Sequence, residues 1–259
     1  MRALLLSILF AACISTARAD SHTMGVDSRG SRLPAPIGIG LNLYYQSQSY
    51  DPTRLIVSLS PGVLTALEGT AIDLTDMEGI AIENDVIEMN LKLDYWLLPF
   101  LNVFGILGRV DGKTDVDVAS IPSLSDEYEY EGVVYGGGVT LSGGWKNYFA
   151  ALTATLTETE LDTSTSSVTA WILSPKVGMV CRYGAVWVGG MYQQTDEQHE
   201  GSRVVSGLGS VDYNVEFEQE ESWNGSVGIT TGISKNWQID LEAGFGDRKH
   251  ASLSTTFRF

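Results

Sequence analysis

Segments of strict apolar–polar alternation recur about ten times along this chain, and beyond its first residues it has no run of about twenty consecutive apolar residues. A period of two places successive side chains on opposite faces of a strand, so such a chain is built from two-faced strands rather than membrane helices. In Ile37 to Tyr50, Ile37, Ile39, Leu41, Leu43 and Tyr45 share one face, against Gly38, Gly40, Asn42, Tyr44 and Gln46. Val86 to Leu98 sets Ile87, Met89, Leu91, Leu93, Tyr95 and Leu97 against Glu88, Asn90, Lys92, Asp94 and Trp96. Further strands are expected over Leu101 to Val110, Gly132 to Ser142, Tyr148 to Glu158, Val168 to Cys181, Ala185 to Gln194, Trp223 to Ile233, Trp237 to Gly246 and Ala251 to Phe259. Two other stretches, Arg54 to Ser60 and Val211 to Gln219, also alternate and read as strand extensions or an additional hairpin.

A strand that is apolar on one side and polar on the other keeps the mean hydropathy near zero, and the value here is +0.04. The chain is therefore expected to be all-β, a transmembrane antiparallel up-and-down barrel of about ten strands, with eight to twelve as the open range. Arg109 is expected to face the lumen, because a charge on the lipid side is penalised. Pro175 lacks a ladder donor and suggests a bulge or an edge-like break. At the end of the sequence Leu253, Thr255, Phe257 and Phe259 share one face and the last residue is aromatic. That ending resembles the C-terminal strand of Gram-negative outer-membrane β-barrels. The resemblance implies that Phe257 and Phe259 form the signal read by the barrel assembly machinery, and that the protein sits in the cell outer membrane with both termini periplasmic.

The other end fits export. Met1-Arg2, an apolar stretch from Ala3 to Ile14, and Ala17-Arg18-Ala19 read as a signal peptide over residues 1–19. Residues 20–36 then form a flexible periplasmic leader and 37–259 the barrel. A competing reading takes Phe10-Ala11-Ala12-Cys13 as a lipoprotein box. After cleavage at Ala19 only Cys181 remains, and in an alternating apolar run it reads as a small lipid-facing residue.

Loop lengths and charge add an orientation. Short connections (near Pro99, Gly143 to Asn147, Arg182 to Gly184, Ser234 to Asn236) fall on one end, and the long ones, together with the short Asp247 to Lys249, on the other, which is the extracellular side in bacterial barrels. Loss of Arg2 and Arg18 with the signal peptide takes the basic residues from 16 to 14 against 32 acidic ones, and the formal charge from −16 to −18. Most of that excess lies in the long loops, so nucleic acid is excluded as a partner. The expected partners are outer-membrane lipid and lipopolysaccharide, with divalent cations bridging the loop carboxylates to its phosphates. Asp111 to Asp117 has oxygen ligands at loop spacing but lacks the Gly and distal Glu of an EF-hand loop.

Inside, Glu88, Lys92, Asp94, Lys176, Arg182, Asp240, Glu242 and Arg258 are expected to form a lumenal charge network, since ions in a narrow interior must pair or meet water. Such a network serves either as a salt-bridged plug or as the lining of a narrow conduit for small polar or cationic solutes. A third reading is an outer-membrane hydrolase. Asp247 and His250 at the last hairpin, with Glu83 and Asp85, bear a superficial likeness to the omptin proteases, with no family motif around them. A His250 base beside Ser252 or Ser254 would suit a lipid hydrolase, whereas the plain reading makes His250 a rim residue and the serines lumen-hydrating groups. No cofactor or metal is expected. The role anticipated is that of a surface-exposed structural or interaction protein.

Overall fold

The computed structural model describes residues 35–50, 55–59, 71–73, 80–118, 126–162, 167–205, 209–218 and 222–259. The segments expected as signal peptide and leader, apart from residues 35 and 36, and the tips of the long loops lie outside the described residues. The elements are β1 (Ile37–Tyr50), β2 (Leu55–Leu59), β3 (Ala71–Asp73), β4 (Ile80–Leu98), β5 (Leu101–Val118), β6 (Asp126–Trp145), β7 (Tyr148–Leu161), β8 (Ser167–Cys181), β9 (Gly184–Val205), β10 (Gly209–Glu218), β11 (Ser222–Gly232), β12 (Trp237–Phe245) and β13 (Arg248–Arg258).

Ten of these strands close into an antiparallel up-and-down barrel, β11-β12-β13-β1-β4-β5-β6-β7-β8-β9 and back to β11. Pairing of β1 with β13 joins the first and last strands, so no membrane-spanning edge is left with unpaired N–H and C=O groups. The remaining three strands lie in the long connections. β10 folds back along the upper part of β9 and pairs with β2, which in turn pairs with β3. The two extra alternating stretches of the sequence thus pair with each other above the barrel.

Followed pair by pair once round the ring from Gly232, the register arrives at Thr195, two residues beyond the Gln193 that pairs with Ser222. The path therefore rejoins β11 at the level of position 220, a stagger of twelve residues. Such a stagger tilts the strands by about 40°. With the tilt allowed for, Tyr45, Tyr135, Trp171, Tyr192, Trp223 and Phe245 come to one height on the outer face. Tyr95, Trp237, Phe257 and Phe259 gather near the opposite rim. These are two aromatic girdles bounding an apolar band.

Burial inverts the pattern of a water-soluble protein. Leu91 and Leu93 on the outer face are 53% and 57% exposed, while Asn90 and Asp94 on the same strand are 5% and 2% exposed. Apolar side chains facing outward in this number have a favourable environment only in lipid. The outer surface is thus built for the hydrocarbon of a membrane.

Two expectations about these strands need correction. Arg109 faces outward, paired between the outward residues Met89 and Val133, and is exposed. The register of β5 is anchored instead by Asn102, which points inward and donates to Asp94. Arg109 stands at the height of Tyr45 and Tyr135, where its long stem lets the guanidinium reach the polar interface. At Pro175 the edge-like break is present and only the expected bulge is absent. Leu173 pairs with Tyr192 and Lys176 with Gly189 in unbroken register, and only the rungs between them are missing from the β8–β9 ladder.

Candidate functional site

Among the residues whose side chains are described, the inward faces of the ten strands supply four cations and four carboxylates: Lys92, Lys176, Arg248 and Arg258 against Glu88, Asp94, Asp240 and Glu242. All eight come from β4, β8, β12 and β13. On β5, β6 and β7 the same face carries Gly108, Gly132, Gly136, Gly138, Thr153, Thr155 and Thr157. Long charged side chains thus reach inward from both flanks of this stretch of wall, from β12, β13 and β4 on one side and β8 on the other, and its glycines and threonines leave room for them in a narrow barrel.

Near the short-turn end the centre of the network is Asp94. Its carboxylate accepts hydrogen bonds from Arg258 at 2.8 and 3.2 Å and from Asn102 at 2.8 Å. The two-pronged geometry matches the flat guanidinium to the carboxylate and fixes both side chains. Gly38 makes this possible, since a Cβ there would lie 2.5 Å from the Asp94 Oδ2. Asp240 accepts from Thr230 at 2.6 Å and from Gln238 at 2.9 Å, and Lys92 lies 4.2 Å from the centre of the Phe104 ring.

Higher in the lumen Glu242 joins two strands that are not neighbours. Its Oε2 accepts from Lys176 at 2.9 Å and its Oε1 lies 3.4 Å from His250 Nε2. Lys176 also rests 3.9 Å from the centre of the Trp187 ring, and that ring fills the space where a Cβ on Gly228 would stand. Above this level Arg248, fully buried, donates to Gln48 at 2.9 Å and to Gln193 at 2.6 Å, and its backbone N–H donates to Asn224. Gln46 reaches Gln48 at 3.3 Å, which extends the belt across β9, β11, β13 and β1. Glu88 accepts from Asn90 at 2.6 Å.

Seven of the eight residues expected in the network lie in the lumen. Arg182 does not. It occupies the β8–β9 turn, exposed, with its guanidinium 5.5 Å from the Tyr183 ring. The alternation stops at the turn, so continuing its parity one residue past Cys181 placed Arg182 wrongly. His250 is likewise no rim residue, being 4% exposed, turned inward onto Glu242 and stacked with Tyr44 at a centroid distance of 5.6 Å. Arg248, the most buried cation among the described residues, is not among the eight expected residues. Its signal was present, because Arg248, His250, Ser252, Ser254, Thr256 and Arg258 share one parity; the strand simply begins three residues earlier than the apolar face suggests.

The pairs expected of a hydrolase are not assembled. The Ser254 hydroxyl donates to Asn42 at 2.6 Å, and the imidazole of His250 is engaged with Glu242. Among the described residues, no group of three or more His, Cys, Asp or Glu side chains is arranged to hold a metal ion.

No protein-family model matches the chain, and no curated protein matches its sequence. Solved structures of similar shape include the toluene transporter TbuX of Ralstonia pickettii, 10% identical with a TM-score of 0.38, covering 96% of this chain and 97% of that one. The outer membrane protease OmpT of Escherichia coli is 10% identical with a TM-score of 0.44, covering 90% of this chain and all of its own. The translocator domain of the autotransporter NalP of Neisseria meningitidis is 8% identical with a TM-score of 0.43, covering 86% and 89%. A transporter, a protease and a translocator stand side by side here, so no activity carries over to this chain.

Proposed function

We propose that this protein is a closed outer-membrane barrel, with its termini at the periplasmic face, that acts through its acidic extracellular segments rather than through a pore. The observation that supports this reading is the state of the lumen. Asp94, Asn102, Asn224, Thr230 and Arg248 all face inward, and none is more than 4% exposed. In a wide aqueous pore such residues would be wetted. Each of the eight lumenal ions has a partner at hydrogen-bond or ring-contact distance, and their formal charges cancel. A cation or anion pathway would instead carry an excess of one sign along its wall. Asp94 with Arg258 and Lys176 with Glu242 are ion pairs that link β4 to β13 and β8 to β12, strands that are not neighbours, across the barrel.

Acidic residues line the long-loop end on the outer face, where Glu83, Asp85, Asp111, Asp115, Glu129, Glu131, Glu158 and Glu160 stand at or above the upper girdle. Cross-strand neighbours of like sign, such as Asp111 beside Glu131 and Asp115 beside Glu83, repel unless cations screen them. The partner chemistry that suits this surface is lipopolysaccharide phosphate bridged by divalent cations, or a basic ligand.

Lys176 tests the plug. Its ammonium group is the cation next to Glu242, so Lys176→Ala leaves that carboxylate with His250 alone. Because Lys176 is about a quarter exposed, the expected destabilisation is about 1–2 kcal/mol. Vesicles carrying wild-type protein should not swell in an arabinose gradient, and the Lys176→Ala variant should leak small cations. Rapid swelling with wild-type protein would contradict the closed reading.

A further inference from the structure

We propose that the short-turn rim of the barrel is a phospholipid-headgroup surface, on which Lys146, Arg182 and Lys235 hold the phosphates of anionic lipids. The proposal rests on the membrane reading above, with this rim set in a phospholipid leaflet.

Three of the four short turns carry a cation, and in two of them it lies against an aromatic ring. In the β6–β7 turn, Trp145 pairs with Tyr148 and leaves Lys146 and Asn147 at the tip, with the ammonium group 4.4 Å from the centre of the Trp145 ring. Between β8 and β9 the tip is Arg182-Tyr183, where Tyr183 is 72% exposed and its backbone carbonyl accepts from the Thr231 hydroxyl at 2.6 Å. The β11–β12 turn presents Lys235 two residues before Trp237, whose N–H donates to the Ser234 hydroxyl at 3.2 Å. The β4–β5 turn, Leu98-Pro99-Phe100, is uncharged, and none of the four turns contains Asp or Glu. The charged side chains of the four turns are thus all cationic, in a protein of formal charge −16.

The three cations sit on successive alternate strand pairs, so neighbouring ones are separated by two strand spacings, about 10 Å along the sheet. That is the scale on which adjacent lipid headgroups pack. Aromatic rings settle at the headgroup level and place the cations in the plane of the phosphates. Anionic lipid is the partner whose charge and geometry fit, each cation contributing roughly a fivefold preference.

Lys146 adds an independent observation. It has a φ of 57°, the left-handed region that a non-glycine residue occupies at a cost. Glycine would fit this tip without strain, and Gly143 and Gly144 stand just before it. A lysine held in a strained position at an exposed tip points to a use for its charge.

The test is native mass spectrometry of protein released from micelles containing equal amounts of phosphatidylglycerol and phosphatidylcholine. Wild type is expected to retain phosphatidylglycerol preferentially, and the triple variant Lys146→Gln, Arg182→Gln, Lys235→Gln to retain both equally. Lys146→Gly should raise the thermal midpoint by relieving strain while cutting the preference roughly fivefold, and Lys146→Arg should keep it. Equal retention by wild type, or a preference that survives the triple substitution, would overturn the proposal. Retention of inorganic phosphate in place of lipid would overturn the lipid assignment. Failure of wild type to insert into phosphatidylcholine vesicles would overturn the membrane reading and this proposal with it, whereas insertion without lipid preference overturns this proposal alone.

Discussion

Replacing Asp94 with Ala is expected to destabilise the folded barrel by about 3–5 kcal/mol, the cost of leaving a buried cation without its partner. The Asp94 side chain is 1% exposed, and Arg258 is 16% exposed. Removal of the carboxylate strands two groups at once, the Arg258 guanidinium and the Asn102 amide, since both donate to Asp94. Asp94 and Asn102, at 2% and 4% exposure, mark this level of the lumen as poorly reached by water. The pair Asp94→Leu with Arg258→Leu should be much milder than Asp94→Ala alone, because it removes both ions together. Urea unfolding in lipid vesicles measures the difference. An unchanged midpoint for Asp94→Ala would show that Arg258 reaches water and that the lumen is open at this end.

Leu91→Arg is the second large effect, and it tests which side of the barrel meets lipid. Leu91 lies on the outer face near mid-height, 53% exposed, between Leu41 on β1 and Leu107 on β5. A charge at that depth costs about 2–4 kcal/mol in a bilayer. The contrast is Arg109, already outward but at the upper girdle, where Arg109→Leu should change stability by less than about 1 kcal/mol. A barrel facing water would behave the other way: Leu91→Arg would be harmless and would improve solubility. Folding yield in dilauroyl-phosphatidylcholine vesicles separates the two outcomes.

These contrasts also show what the sequence could and could not reveal. Outward faces such as Ile39-Leu41-Leu43 and Met89-Leu91-Leu93 were legible because lipid imposes the same demand on every residue of the face. The pairing of Arg54 to Ser60 with Val211 to Gln219 was legible as alternation but not as partnership, since register depends on neighbours far away in the chain. Arg109 was misplaced because the rule against lipid-facing charge depends on depth, and depth follows from the stagger of the whole ring. Arg182 was misplaced because parity has no meaning in a turn. Within the lumen, the membership of Glu88, Asp94, Glu242 and Arg258 followed from alternation alone. Which of them pair did not, because Glu242 reaches Lys176 across strands β11 and β9, and only the curvature of the closed barrel brings the two together.

Single-channel recording in a planar bilayer tests most directly whether paired side chains close the lumen. Wild-type protein, inserted at a density established by heat-modifiable mobility, should give no steady conductance at neutral pH, and Lys176→Ala should give small, cation-selective openings. Steady wild-type conductance on the scale of a general porin would contradict the account.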